Sequence, residues 1–427
     1  LTVASRFAGG AMRAGLPDRV MAASAEAARR RAVCPAPVLL MMLAAVLLQR
    51  LAVPGTDGIV GVGLLVGLGG FAWGVLSGRL AIEPLRVLLY CLALCGLLAS
   101  LIGQSGRVSF ASLALLSTIY LPFVAVAAVS AGERRAILDA FGTLMSAVAV
   151  LGLAQFAVQF LLGPEAMFPL DRALPEAWFI DRFNLRIPIW DGAPWLKSTG
   201  LVFLEPSHFA QTLALAILVE LLTAARTRRL ALYGLAYLVT VSGTGLVLLG
   251  LLAVPVCLAA RRLWPIALGG LVLVAAWTLR ELPPLDLFFG RLDEFAQPLS
   301  SGAMRFVAPY RLVSDTLADP SRMLLGAGPG TLEDVIRGLD YAVQDTLWLK
   351  LLVEYGLLGL LAFAPLYLVV LLAGAPDRIL AWAFLVQVLL LGGYLNAYYV
   401  QFLALALVGW PRLAEDGVAS PDAGSDR

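Results

Sequence analysis

The chain has 427 residues, of which 60% are hydrophobic and only 14% charged, with a mean hydropathy of +0.87. A soluble domain is about a quarter charged and roughly 45–50% apolar, so this composition excludes an ordinary soluble enzyme and describes a protein of many membrane spans. The formal net charge is only +2, which excludes the clustered basic face that nucleic-acid binding requires.

Residues 1–35 are rich in Ala, Gly and Arg and end in Arg29-Arg30-Arg31. The basic stretch is long, no A-x-A-like site follows the first apolar run, and further spans come after it. The segment therefore reads as a disordered cytoplasmic tail rather than a signal peptide. Residues 36–412 make up the membrane body. Apolar runs of the length that crosses a hydrocarbon core as a helix predict spans over 37–53, 58–76, 85–103, 109–130, 136–162, 200–223, 229–241, 244–260, 264–280, 343–372, 378–393 and 397–412. The expected fold class is thus an all-α polytopic membrane protein with about twelve transmembrane helices. Two long runs, 229–260 and 378–412, are broken at Ser242-Gly243-Thr244-Gly245 and at Gly392-Gly393-Tyr394-Leu395-Asn396. Each is read as two short helices, because one helix of that length would rise about 46–52 Å in a bilayer core of about 30 Å. Residues 413–427 read as a second disordered cytoplasmic tail.

Charge sets the orientation. With the N-terminus inside, the short cytoplasmic loops and their flanks hold Arg79, Arg86, Arg134, Arg135, Arg226, Arg228, Arg229, Arg261, Arg262 and Arg378, while the short outer loops hold Arg50 and Arg107. That asymmetry satisfies the positive-inside rule. It puts both termini in the cytoplasm and both long loops, 163–199 and 281–342, on the outer face.

The first long loop combines Trp178, Trp190 and Trp195 with Pro164, Glu165, Asp171, Arg172, Asp181, Arg182, Arg186, Asp191 and Lys197. Its tryptophans read either as an interfacial belt or as a platform for the apolar faces of sugars. In the second loop, Leu285, Leu287, Phe288, Leu292 and Phe295 alternate with Asp286, Arg291, Asp293 and Glu294, the pattern of a helix lying on the membrane surface. The turn Gly326-Ala327-Gly328-Pro329-Gly330 lacks the Gly-Lys-Ser/Thr of a nucleotide-binding loop. It reads as a tight turn before a helix capped by Thr331, with Asp334 at capping-box spacing. The loop then runs into an apolar helix opened by Asp345.

Among reactive groups, Cys34, Cys91, Cys95 and Cys257 lie within or beside apolar segments, so no disulfide framework is implied. His208 is the one histidine, and no Cys or carboxylate cluster accompanies it at ligand spacing, which gives no basis for a metal site or cofactor. Glu205 stands one turn before His208 near the outer end of the sixth span. An ionisable pair inside a membrane segment is a functional candidate. The competing reading is a helix start, with Pro206 in its first turn and Glu205 favoured by the helix dipole. Arg305 and Arg311 either pair with neighbouring acids in the second loop or bind a phosphate group, for which the planar guanidinium is suited.

Three stretches resemble the bacterial O-antigen polymerase and O-antigen ligase superfamily. They are Ser198-Thr199-Gly200 through Glu205-Pro206-Ser207-His208-Phe209-Ala210, then Val241-Ser242-Gly243-Thr244-Gly245, and the run from Gly326 through Asp345 and Glu354 to Gly359. The resemblance implies a metal-independent glycosyltransferase of the bacterial inner membrane. Its substrates would be polyprenyl-diphosphate-linked glycans, met among membrane lipid at the outer leaflet, with a chain-length regulator protein as partner. It assigns Arg305 and Arg311 to the diphosphate, and Asp345, Glu205 and His208 to acceptor positioning or base work. Ligases of the superfamily have a His-Asn pair where this chain has Asp345-Thr346, so the likeness is closer to the polymerases. The alternatives are a glycan ligase and, in a different class, a transporter or flippase for lipid-linked glycans. A coupled transporter shows mid-span ionisable residues, whereas the mid-span polar groups here, such as Gln155, Gln159 and Gln387, are neutral.

Overall fold

The computed structural model describes residues 33–413 apart from 57, 103–107, 181–182, 191, 281–300, 345 and 392–396. The described chain is mostly helical. Its first part contains α1 (Ala36–Leu47), α2 (Val62–Leu76), α3 (Pro84–Ala99), α4 (Phe110–Tyr120) and α5 (Ala131–Leu162). After the first long loop, with its short helix α6 (Pro169–Ala173), come α7 (Pro206–Leu222), α8 (Thr227–Leu238), α9 (Thr244–Ala259) and α10 (Trp264–Thr278). The second long loop holds α11 (Ser301–Phe306), α12 (Ala308–Leu317), α13 (Pro320–Leu325) and α14 (Leu332–Arg337). The chain returns through α15 (Leu347–Leu372), α16 (Arg378–Leu390) and α17 (Tyr398–Ala404), which continues as a π-helical turn, Leu405–Gly409.

A helix falls in each of the twelve expected segments, but most are shorter than hydropathy suggests. Only α5 and α15 are long and apolar enough to cross a membrane unaided. Helices of 12 to 17 residues, such as α1 and α7, rise only about 18–26 Å. Non-helical backbone completes several of them: the 3₁₀ turn Leu121–Val124, and the strands β1 (Ala81–Ile82), β2 (Ala125–Val129) and β3 (Pro411–Leu413). β2 pairs antiparallel with β1 and parallel with β3. Backbone of this kind is tolerated at depth only where protein satisfies it. Arg86, with no exposed surface, does so by donating to the carbonyls of Phe123, Ala125 (2.6 Å) and Gly409 (2.9 Å).

Polar contacts gather at the two ends of the bundle. At the end with the β-strands, Arg134 pairs with Asp377, Arg226 bridges Glu220 and Asp139, and Arg262 donates to the last carbonyls of α7 at Leu221 and Thr223. At the other end, Tyr398 donates to Leu48 O, Trp348 to Leu389 O, and the Ser109 N–H to Pro329 O. Between them helices meet through small residues; Gly96 of α3 faces Ala362 and Gly359 of α15. In lipid, such close packing replaces the hydrophobic drive of a soluble core.

The second long loop departs from its sequence reading. Its described part is a chain of four short helices packed on α15, with its own apolar core of Ala308, Leu312, Leu332, Val343, Leu349 and Val353. The expected surface helix over Leu285–Phe295 lies outside the described residues. The helix after Asp345 is not continuous, because Gly356 breaks it at φ 65°, ψ −172°. The Ala327 and Gly328 N–H groups donate to Val353 O (2.8 Å) and Glu354 O (2.9 Å), the carbonyls freed by the break. The Thr331 capping box does not form: the Thr331 hydroxyl donates back to Gly328 O, and Asp334 pairs with Arg337 instead.

Candidate functional site

The site is built from α5 outward. Gln155 organises the turn that precedes α7. Its Oε1 accepts from the Thr199 N–H (3.0 Å), the Leu201 N–H (3.1 Å) and the Ser198 hydroxyl (2.9 Å), and its Nε2 donates to Met167 O (3.1 Å). One helical turn further on, Gln159 grips Leu196 through both its N–H and its carbonyl. The turn forces Leu201 to φ 68°, a left-handed conformation costly to a side-chain-bearing residue. Arg50 supports it from the turn after α1, donating to Leu201 O at 3.2 Å while ion-paired with Asp171. Backbone strain held in this way is found at functional sites. Gln155 and Gln159 thus hold the first long loop in place.

From this turn the chain enters α7 with Glu205 at the N-cap and Pro206 in the first turn, as a helix start would have it. The Glu205 carboxylate, however, makes no capping bond to the backbone. Its Oε2 instead accepts the Ser207 hydroxyl at 2.9 Å. His208 is buried, 7% exposed. Its ring packs edge-on to Phe183 of the first outer loop (5.8 Å between centroids) and tilted on Tyr399 of α17 (5.3 Å). The Tyr399 hydroxyl lies 3.5 Å from Nδ1. Both Glu205 and Arg305 act electrostatically on the imidazole. Three separated segments, the first long loop, α11 of the second long loop and α17, thus meet the start of α7 around His208.

The two arginines assigned to the diphosphate are placed differently. Arg305 lies at the end of α11, where Phe306 packs on the main bundle core, and this carries its charge to His208. Arg311 is exposed on α12, its guanidinium 5.8 Å from the centre of the Tyr341 ring. Partial burial, together with Asp315 and Asp340, pushes the Tyr341 phenol above its usual pKa, with Arg311 opposing. Arg311 thus belongs to a local charged cluster, and among the described contacts none joins it to His208. Arg322 and Arg337 pair with Asp319 and with Glu333 and Asp334.

Asp345 lies outside the described residues. The Gln344 N–H donates to Met304 O at 3.1 Å, which sets residues 344 and 304 side by side, one position from Asp345 and from Arg305. On the other flank Thr346 is the N-cap of α15, buried, with no side-chain capping bond. Below it Lys350 and Glu354 form a buried ion pair at 2.7 Å, and Glu354 also accepts the Leu332 N–H. Among the described residues no group of three or more His, Cys, Asp or Glu is placed to hold a metal ion.

Phe183 and Tyr399 were not legible as site residues, since an aromatic in an apolar or loop segment carries no mark of its tertiary neighbour. No curated protein matches the chain. The family model described as WcaD colanic acid polymerase matches residues 37–345, a stretch that contains Glu205, His208, Arg305, Arg311 and Asp345 and more than half of the 427 residues. On that match the chain belongs to the WcaD colanic acid polymerase family.

Proposed function

We propose that the chain is a membrane polysaccharide polymerase that joins polyprenyl-diphosphate-linked repeat units at the outer face of the bacterial inner membrane. The observation that supports this reading is that the start of α7, with Glu205 and His208, and the end of α11, with Arg305, lie close enough for both charges to act on the imidazole. Glycosyl transfer from a diphosphate needs a group to receive the proton of the attacking hydroxyl and fixed positive charge for the departing diphosphate. Glu205, His208 and Asp345 are the proton-handling and positioning groups. Arg305 is the better placed of the two diphosphate arginines, with Arg311 further out on the loop. Guanidinium suits a diphosphate without help from a metal.

The topology belongs to the same proposal. Twelve spans, both termini cytoplasmic, put the long loops and the site at the outer surface. The sorting of Arg134, Arg226, Arg229 and Arg262 to the end opposite His208 supports it. A separate regulator protein would set chain length.

The test is incubation of the purified protein with a single lipid-linked repeat unit in the presence of a chelator. The expected result is a ladder of longer lipid-linked chains. A ladder that forms only with added divalent cation would overturn the metal-independent reading. Transfer seen only to an added lipid-core or protein acceptor would replace polymerisation with ligation.

A further inference from the structure

We propose that Tyr310 of α12 and Trp348 of α15 form a platform on which a pyranose ring of the glycan substrate stacks. That the ring belongs to a lipid-linked glycan rests on the polymerase reading above; that the platform takes a sugar does not.

The two rings come from separate segments and lie 6.1 Å apart between centroids, tilted by 41°. Each is held differently. Trp348 packs on the apolar core of the second long loop, and its indole N–H donates to Leu389 O at 3.1 Å. The plane of that ring is therefore set before any ligand arrives. Tyr310 is 65% exposed. Its helix buries Ala308, Leu312 and Thr316 along one side, and Tyr310 stands on the other, about 200° round from Ala308. Arg311, Ser314 and Asp315 are the exposed residues that accompany it there.

Those neighbours decide what the platform takes. An aromatic of the membrane belt lies at the edge of the hydrocarbon, among aliphatic residues. Trp348 has such a neighbour in Leu389, which is exposed. Tyr310 does not: its face of α12 offers a cation, a hydroxyl and an anion. An open ring with a polar rim suits a ligand built the same way. A pyranose has one, its C–H bonds packing on the aromatic face while the hydroxyls at its edge exchange hydrogen bonds with charged and hydroxyl groups. The place also fits. Leu389 O accepts from Trp348, and Leu391 O, just past the end of α16, accepts from Gln211 Nε2 at 3.1 Å. Gln211 lies three residues after His208. The platform and the start of α7 therefore flank the same end of α16, and a glycan held on the platform is presented alongside the groups assigned to transfer.

For the test, the full-length protein in lipid nanodiscs is given water-soluble glycan repeat units released from their lipid carrier by mild acid. Saturation-transfer NMR, with irradiation of the aromatic protons, reads contact between ring faces and sugar C–H groups. Wild type should pass magnetisation to the C–H protons of a pyranose. Tyr310→Ala should weaken binding by about 10-fold, the scale of one stacked ring. Tyr310→Phe should bind as wild type, because stacking needs the ring and not the hydroxyl. In the ladder assay, Tyr310→Ala should raise KM by about the same factor with kcat kept, the mark of an interaction that is uniform through the reaction. A wild type with no transfer from aromatic protons to the sugar would overturn the proposal. So would Tyr310→Ala that binds as tightly as wild type at unchanged thermal stability, which would return the pair to the membrane belt, or Tyr310→Phe that loses binding, which would replace stacking with a hydrogen bond. A wild type that binds the glycan but forms no ladder would instead remove the polymerase reading and leave the platform in place.

Discussion

The backbones of Gly326 and Gly356 lie against each other so closely that neither position has room for a side chain. A β-carbon on Gly356 would stand 2.6 Å from the Gly326 nitrogen, and one on Gly326 2.5 Å from the Tyr355 nitrogen. Both residues have φ near +70° (76° and 65°) with extended ψ, a region open essentially to glycine alone. The Gly326–Gly330 stretch thus splices into the break of α15, and the second long loop is anchored to the helix it precedes. Gly326→Ala and Gly356→Ala should each destabilise the protein by about 2–5 kcal/mol from backbone strain and overpacking together. Thermal unfolding in detergent checks this; wild-type stability in either variant would refute it.

Just before the break, Lys350 and Glu354 are buried together. Removing one partner leaves the other charged in a dry interior, at a cost of about 3–5 kcal/mol, whereas replacing both with apolar residues is often near neutral. Lys350→Met and Glu354→Leu should each unfold at clearly lower temperature, and the double variant should recover most of the loss. The Leu332 N–H, which loses its acceptor, sets the remainder. A double variant no better than either single would show that the pair is not what stabilises this face.

The arginines are expected to rank by whether their charge acts on the imidazole, as that of Arg305 does. Arg305→Ala should lower the initial rate of ladder formation by about 10²–10³-fold, the scale of a lost donor to developing charge. Arg311→Ala should change it less than about 10-fold, the effect of a loop cluster that loses one charge. Equal losses in both variants would place Arg311 at the diphosphate as well.

Asp345 is the group on which the acceptor side turns. Asn in its place keeps the shape and the capping ability of the side chain but cannot take a proton. Asp345→Asn should therefore leave the protein stable in the membrane and cut chain extension by about 10²-fold. Normal extension by the variant would reduce Asp345 to a helix cap.

Legibility followed the range of the interaction. The helical segments could be read because apolar run length is a local property, and Glu205 with His208 because charge within an apolar stretch is conspicuous. Arg305 and Arg311 looked alike in sequence, each an arginine among acids. Only the packing of Phe306 into the bundle, against the exposure of α12, separates them. The break at Gly356 was hidden because a glycine inside an apolar run continues a helix unless another segment supplies donors for the freed carbonyls. Here those donors come from residues 327 and 328. Thr331 failed as a cap for a related reason, its hydroxyl being taken by the carbonyl of Gly328.

The contacts of Arg86 reach from the third helix to Gly409, and β2 waits for β3 at the far end of the sequence. During biogenesis the first four helices enter the bilayer long before that partner is made. Until then one donor of the Arg86 guanidinium, whose other partners are Glu83, Phe123 and Ala125, and one edge of β2 stand without their final partners. The nascent protein must therefore keep this region near the membrane surface, or in the care of insertion machinery, until the last helix arrives. Chains that stop short of residue 409 should be recognised as unfinished and degraded, however well their early helices insert.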